Sequence, residues 1–171
     1  DVPTLAAHGV WLDESDRAIL RKQNVSVAHN PVSNMKLASG LAPVQSLRAQ
    51  GVNVALGTDG ASSNNNLSML RDLQLVALVH KLQGFDPLAL RGIEALQMAT
   101  IRGAAALQWD DQIGSIKLGK KADLIFFDID KPWHAPWHDL VENIAYAAHP
   151  DDVAITMVDG HILYRNGQYL T

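Results

Sequence analysis

Val52-Asn53-Val54-Ala55-Leu56-Gly57-Thr58-Asp59-Gly60 runs from an apolar stretch short enough for a strand into a turn that carries a carboxylate. The same handover occurs earlier in the chain: Thr4–Ala7 ends at His8, and Val25–Ala28 ends at His29. Between the first two runs, Asp13–Gln23 reads as a helix, with Asp13 as N-cap and Asp16 in the capping-box position. After His29 a polar loop (Asn30, Pro31, Ser33, Asn34) and a break at Gly40 are expected, then a helix opened by Pro43 and closed at Gly51. Beyond Asn64–Asn66, the spacing of Leu67, Leu70, Leu73, Val76, Ala77 and Val79 predicts a long helix over about Leu67–Leu82. Short, fully apolar strands alternating with helices specify an α/β fold whose parallel sheet is covered on both faces.

The remainder changes texture. Asp86–Leu107 reads as two or three helices broken near Thr100 and Gly103. From Asp110 onward strands are predicted at Ile113–Leu118, Ala122–Asp128, Val153–Val158 and Ile162–Arg165. Asp159-Gly160 and Asn166-Gly167 supply the turn signals. Trp133–Trp137 reads as a loop and His138–Ala148 as a helix.

Composition narrows the function classes. The 171 residues are 47% hydrophobic and 19% charged, enough apolar material for a core. Lys and Arg number 14 against 18 Asp and Glu, a net charge of −4, and no basic stripe suggests a nucleic-acid partner. The absence of cysteine removes thiolate zinc sites, disulfide scaffolds and cysteine nucleophiles. No apolar run is long enough to span a membrane, and no secretory signal is visible, so a cytoplasmic location is the expectation. The first residue is Asp1 and a strand follows at once, which reads as part of something larger.

His8, His29 and Asp59 each stand where an apolar strand hands over to its loop. In parallel α/β architectures the carboxyl ends of strands are where active-site groups project. One such residue is unremarkable; three in succession favour function. The structural alternative makes His8 and His29 satisfied histidines at sheet ends and Asp59 a cap or turn residue. Gly57 and Gly60 tilt Asp59 toward function, because they flank it as if the backbone must approach something closely.

Three segments carry a family resemblance: Ala7-His8-Gly9-Val10-Trp11-Leu12, His29-Asn30-Pro31-Val32-Ser33-Asn34-Met35-Lys36-Leu37-Ala38-Ser39-Gly40, and Leu56-Gly57-Thr58-Asp59-Gly60-Ala61-Ser62-Ser63-Asn64-Asn65. With Ala95–Thr100, Gly103-Ala104, Ile113–Ile116 and Gly119–Leu124, they resemble the amidohydrolase superfamily over nearly the whole chain. More narrowly, they are similar to the branch holding 5′-methylthioadenosine/S-adenosylhomocysteine deaminases and s-triazine chlorohydrolases. The resemblance implies the C-terminal part, about three βα units, of an eight-stranded TIM barrel. Residues 1–109 would be barrel with trailing helices, and 110–171 the C-terminal share of a small β-sandwich. Three strands cannot close a barrel of eight, so the N-terminal barrel half is required.

The resemblance also implies roles. Asp59 is the one metal ligand in this chain, for a single divalent ion, usually zinc, and it accepts the proton of the attacking water. His8 hydrogen-bonds the nucleophile or the tetrahedral centre. His29, Ser33 and Asn34 brace the loop around the site. The substrate is a purine nucleoside-like small molecule, deaminated hydrolytically. The family's His-x-His pair, its further ligand histidine and its proton-donating glutamate have no counterpart here, and Gly9 stands where a cysteine is common. The isolated chain is therefore expected to bind zinc weakly, to deaminate nothing, and to associate through open strand edges.

His134 and His138 stand at i, i+4, a spacing that can hold zinc, but Pro136 lies between them. His80, His149 and His161 read as packing or exposed histidines, and Trp109, Trp133 and Trp137 as packing residues. Two alternatives stay open: guanine, 8-oxoguanine or chlorotriazine hydrolysis within the same superfamily, and a non-catalytic α/β binding module.

Overall fold

Strands β1 (Leu5–Ala7), β2 (Ser26–His29) and β3 (Val54–Leu56) form a parallel sheet in the order β1-β2-β3. The register pairs Leu5 with Ser26, Ala28 with Ala55 and His29 with Leu56. A computed structural model describes residues 2–136 and 138–170. Because the strands run in register and in one direction, their carboxyl ends, and the residues just past them, emerge along one edge.

Each strand is short because a helix must return the chain to the same end of the sheet. Helix α1 (Glu14–Lys22) opens on Asp13, whose side chain accepts from Asp16 N while Asp16 answers to the Asp13 backbone. Helices α2 (Pro31–Lys36) and α3 (Val44–Ala49) lie between β2 and β3. After β3 come α4 (Ala61–Asn64), α5 (Met69–Gly84), α6 (Gly92–Ala99) and α7 (Ile101–Ala106). Ser68 caps α5 through Arg71 N. The core gathers Val27, Val44, Leu47, Val54, Leu56, Leu73, Val76 and Met98, all buried between the sheet and α3, α5 and α6. Burying a side chain of this size contributes about 1.5–3 kcal/mol.

The second sheet is antiparallel, in the order β4 (Leu124–Phe127), β5 (Val153–Val158), β6 (His161–Arg165), β7 (Gln168–Tyr169). Asp159 and Gly160 both adopt positive φ (49° and 81°), as do Asn166 and Gly167 (46° and 87°). These are the left-handed pairs that tight hairpins require. Helix α8 (Leu140–Ala147) packs on α6 and α5.

The structure corrects several sequence expectations. The polar loop at Asn30–Asn34 is instead α2, with Pro31 at its first turn. Ala61–Asn64 winds into α4. Gly103 does not break a helix but sits inside α7, while Thr100 does make the break, at φ −127° and ψ −100°. Ile113–Leu118 is not a strand. There the chain folds around the Lys120 ammonium, which donates to the carbonyls of Asp110 and Ile113 and to Ser115 Oγ. As expected, β1 and β3 end the parallel sheet without outer partners among the described residues; β3 is nonetheless buried along its length, whereas Leu5 of β1 stays 42% exposed. Trp109 and Trp133 are about half exposed, and Trp137 lies outside the described residues. His80, expected at the surface or in packing, is fully buried. Among the described residues no helix is long and apolar enough to cross a membrane.

Candidate active site

His8 follows β1 directly and Asp59 stands three residues past β3, and both sit in the left-handed region, at φ 67° and 60°. Non-glycine residues adopt this conformation at a cost of about 1–2 kcal/mol and cluster at functional sites. The two turns bring the side chains together across the end of β2: His8 Nε2 lies 3.9 Å from Asp59 Oδ2. Their side chains remain 39% and 34% exposed, so the pair is open to a ligand.

Each partner is held from behind. His8 Nδ1 lies 2.8 Å from Asn34 Oδ1 and donates its N–H to this acceptor. That tautomer leaves the Nε2 lone pair toward Asp59. Asp59 Oδ2 accepts from Ser33 Oγ and from Ser63 Oγ, each at 2.7 Å. Hydrogen bonds from Ser33, then Ser63, then the Gly60 backbone hold the Asp59 carboxyl down at about 2. Asp59 is therefore a fixed anion over the whole working range of an ordinary enzyme.

Ser33 and Asn34 are thus brought beside Asp59 and His8 by α2. His29 is not turned to it. Its ring is completely buried and packs on His80, with the two Nε2 atoms 3.2 Å apart. Burial, with the neighbouring His80 and His8, pushes His29 down to about 3; burial lowers His80 as well. His80 Nδ1 faces Gln83 Oε1 at 3.1 Å, so His80 Nε2 receives the His29 proton. His29 is a neutral residue pinning β2 against α5, one layer behind the place expected for it.

Residues without an assigned role in the sequence reading complete the arrangement. Asn30 is buried with Nδ2 3.5 Å from His8 Nδ1, and its Oδ1 fills the space that a Cβ at Gly57 would need. This explains Gly57; a Cβ at Gly60 would meet only open space. Ser63 reaches Asp59 because α4 winds it back by one turn, a consequence of a helix not anticipated there. His134, the zinc candidate on the far loop, is buried between Asn143 Oδ1 and Asp152 Oδ2 (3.0 Å to the latter). Among the described residues no group of three His, Cys, Asp or Glu side chains forms around it.

The donor set at the strand ends suits a divalent ion in part. Asp59 offers a carboxylate of low pKa and His8 an imidazole lone pair. Among the described residues, however, no three His, Cys, Asp or Glu side chains converge to hold a metal. Zinc takes three or four protein ligands, so a complete centre needs donors from outside this chain's described residues.

Comparison with known proteins identifies relatives of this chain. The model of the amidohydrolase family matches residues 1–163. A 5-methylthioadenosine/S-adenosylhomocysteine deaminase of Thermoanaerobacter pseudethanolicus is 49% identical over all 171 residues, which make up 40% of its length. A 5′-deoxyadenosine deaminase of Methanosarcina acetivorans is 48% identical over 166 residues, 97% of this chain and 38% of that protein. The crystal structure of a zinc-bound adenosine deaminase from Xanthomonas campestris superimposes with a TM-score of 0.94 at 36% identity, covering 97% of this chain and 38% of that one. The chain thus spans about 40% of the length of the curated relatives it matches, and its α/β fold is that of part of their TIM barrel. By the match of the family model and the fold it shares with these enzymes, this chain belongs to the amidohydrolase family.

Proposed function

We propose that the protein carrying this chain is a hydrolytic deaminase of adenosine-type nucleosides, with Asp59 and His8 as its contribution to the catalytic centre. The observation that carries this reading is the His8–Asp59 pair, 3.9 Å apart past the ends of β1 and β3 on either side of β2, in a chain nearly half identical to 5′-modified-adenosine deaminases. We further propose that residues 1–109 belong to the barrel and 110–171 to an appended β-sandwich.

Asp59 would hold a divalent ion, zinc being the one bound in the adenosine deaminase relative, together with ligands from elsewhere in the protein. Such an ion, when bound, supplies a water of lowered pKa. Water oxygen bonds to C6 of the purine, the C6–N bond breaks, and ammonia leaves. Asp59 accepts the proton of the attacking water. A carboxyl held at about 2 is too weak a base for bulk water, so this transfer works only from a water already made acidic. Ser33 and Ser63 fix Oδ2 during the transfer. His8, with Nδ1–H donated to Asn34, presents its Nε2 lone pair to the attacking water, accepting a hydrogen bond that orients it. The acid that protonates the ring nitrogen lies outside the described residues.

The test is ammonia release by the complete gene product from 5′-methylthioadenosine, S-adenosylhomocysteine, 5′-deoxyadenosine, guanine, 8-oxoguanine and a chlorotriazine, with zinc measured in parallel. Activity is expected on the adenosine-type compounds. Asp59→Asn is expected to lower kcat/KM by about 10² or more while the circular dichroism spectrum is kept. Release from guanine, 8-oxoguanine or triazine alone would overturn the substrate class. A folded Asp59→Asn variant of undiminished activity would overturn the site, in favour of a binding module.

A further inference from the structure

Asp72 is completely buried on α5, yet it touches neither His8 nor Asp59. Burial raises its pKa, opposed by hydrogen bonds from Asn64 and from the Val32 backbone. A carboxyl group is rarely retained in a core without a compensating role. Its two oxygens point to two different loops. Oδ1 accepts from Val32 N at 3.4 Å, at the start of α2; Oδ2 accepts from Asn64 Nδ2 at 3.0 Å, at the end of α4.

These are the two short helices that hold Asp59. Helix α2 carries Ser33, α4 carries Ser63, and both hydroxyls converge on one carboxylate oxygen. The separation of the two helices therefore sets whether Oδ2 can receive both. Asn64 extends the link by donating to Thr58 O, in the turn that places Asp59.

Helix α2 also needs an acceptor at its start. Pro31 has no N–H, and the N-cap residue Asn30 makes no capping bond; its side chain lies instead beside Gly57 and His8. Asp72 supplies the acceptor from forty positions away and so leaves Asn30 free to face the site. On the outer side Lys36 spans the same gap, donating to Ser62 O and Asn65 Oδ1. Two crosslinks, one buried and one exposed, thus join the helices on either side of Asp59.

We propose that Asp72 is a positioning residue for Asp59: by tying α2 to α4 it fixes the two serines that orient the carboxylate and, with it, affinity for the divalent ion. This inference rests on the site assignment above, and its readout is separable from deamination.

The experiment compares wild type, Asp72→Asn and Asp72→Glu in the complete gene product. Zinc affinity is measured by competition with a chelating dye, alongside thermal melting and separate kcat and KM for 5′-methylthioadenosine. Removing a group that orients a metal ligand costs typically about 10–100-fold in metal affinity or activity. Asp72→Asn is expected to lower zinc affinity and kcat by about this factor with KM within about threefold, and Asp72→Glu to restore much of both. A folded Asp72→Asn variant with wild-type zinc affinity overturns the proposal. So does one that loses melting temperature alone, since a purely structural role predicts that. If Asp72→Asn does not fold, Asn64→Ala cuts the same link from its other end: lowered zinc affinity supports the proposal and unchanged affinity overturns it. A wild type that binds zinc but deaminates nothing overturns the function proposed above, while the zinc comparison still decides for or against Asp72.

Discussion

Gly57→Ala tests whether the strand-end geometry is as tightly set as the structure implies. Gly57 N donates to His29 O at 2.9 Å, so its backbone is locked in the ladder and cannot yield. An added Cβ would overlap Asn30 Oδ1 on one side and lie 3.9 Å from Ala28 Cβ on the other. To regain an ordinary contact the Asn30 amide must retreat by roughly 1 Å. Asn30 is only 4% exposed, and its Nδ2 already lies 3.5 Å from His8 Nδ1, so the retreat is transmitted to the histidine ring. Overpacking of this size costs about 1–3 kcal/mol of stability, whereas a displacement of 1 Å at a reacting group can cost about 10²-fold in rate. The expected result is a modest fall in melting temperature with a fall of about 10²-fold in kcat/KM. Asn30→Ala and the Gly57→Ala/Asn30→Ala double variant complete the cycle. With the amide gone the collision disappears, so the double variant should match Asn30→Ala and exceed Gly57→Ala. Additive losses, or a Gly57→Ala enzyme within about twofold of wild type, would refute the idea that Asn30 transmits the strain.

Two further predictions follow from the side-chain contacts. In the metal-free protein, Ser33→Ala/Ser63→Ala should raise the Asp59 carboxyl from about 2 toward its ordinary 3.8, read by the pH dependence of its carboxyl carbon NMR signal. A depressed carboxylate contributes stability that is full above 3.8 and lost as pH falls through about 2; in the double variant that window closes, and an unmoved titration would show the serines irrelevant. Asp152→Ala removes a fully buried oxygen that accepts from His134 Nε2 (3.0 Å), Trp133 Nε1 (3.1 Å) and His149 N (2.7 Å). Breaking such a buried pair should cost about 3–5 kcal/mol in urea unfolding, and a loss below about 1 kcal/mol would mean that His134 and its neighbours find other partners.

The parallel sheet was legible because the short runs around β2 and β3 are mainly apolar and end abruptly at His29 and at Gly57-Thr58-Asp59. No helical period could be drawn through them. His8 and Asp59 were legible for the same reason, since a strand end fixes where a side chain emerges. Helix α2 escaped detection because its four buried positions, Pro31–Asn34, are consecutive and two of them are polar. Ser33 and Asn34 are inside, the opposite of an amphipathic signature, and its cap comes from Asp72 rather than from a neighbour in sequence. Ile113–Leu118 misled because a short segment with apolar Ile113, Ile116 and Leu118 resembles a strand, whereas the chain there folds around one lysine that donates to two backbone oxygens and the Ser115 hydroxyl. His29 misled because its position at a strand end is shared by residues facing the site and residues facing the core. Only the side of the sheet decides, and a four-residue strand buried on both faces carries no alternation to reveal it.

The backbone strain at His8 and Asp59 explains why so many groups surround so small a site. Two left-handed non-glycine residues cost about 1–2 kcal/mol each, and relaxation of either would swing its side chain out of line with the other. Each is opposed by a rigid partner: the His8 ring by Asn34, the Asp59 carboxylate by Ser33 and Ser63. These partners sit on helices of six and four residues, too short to be stable alone. Their order must come from tertiary contacts, which Asp72 and Lys36 supply. Precision at the strand ends is therefore borrowed from α5, whose Leu73, Val76 and Ala77 are anchored in the core. A substitution on the buried face of α5 should reach the reacting groups through these hydrogen bonds without touching them.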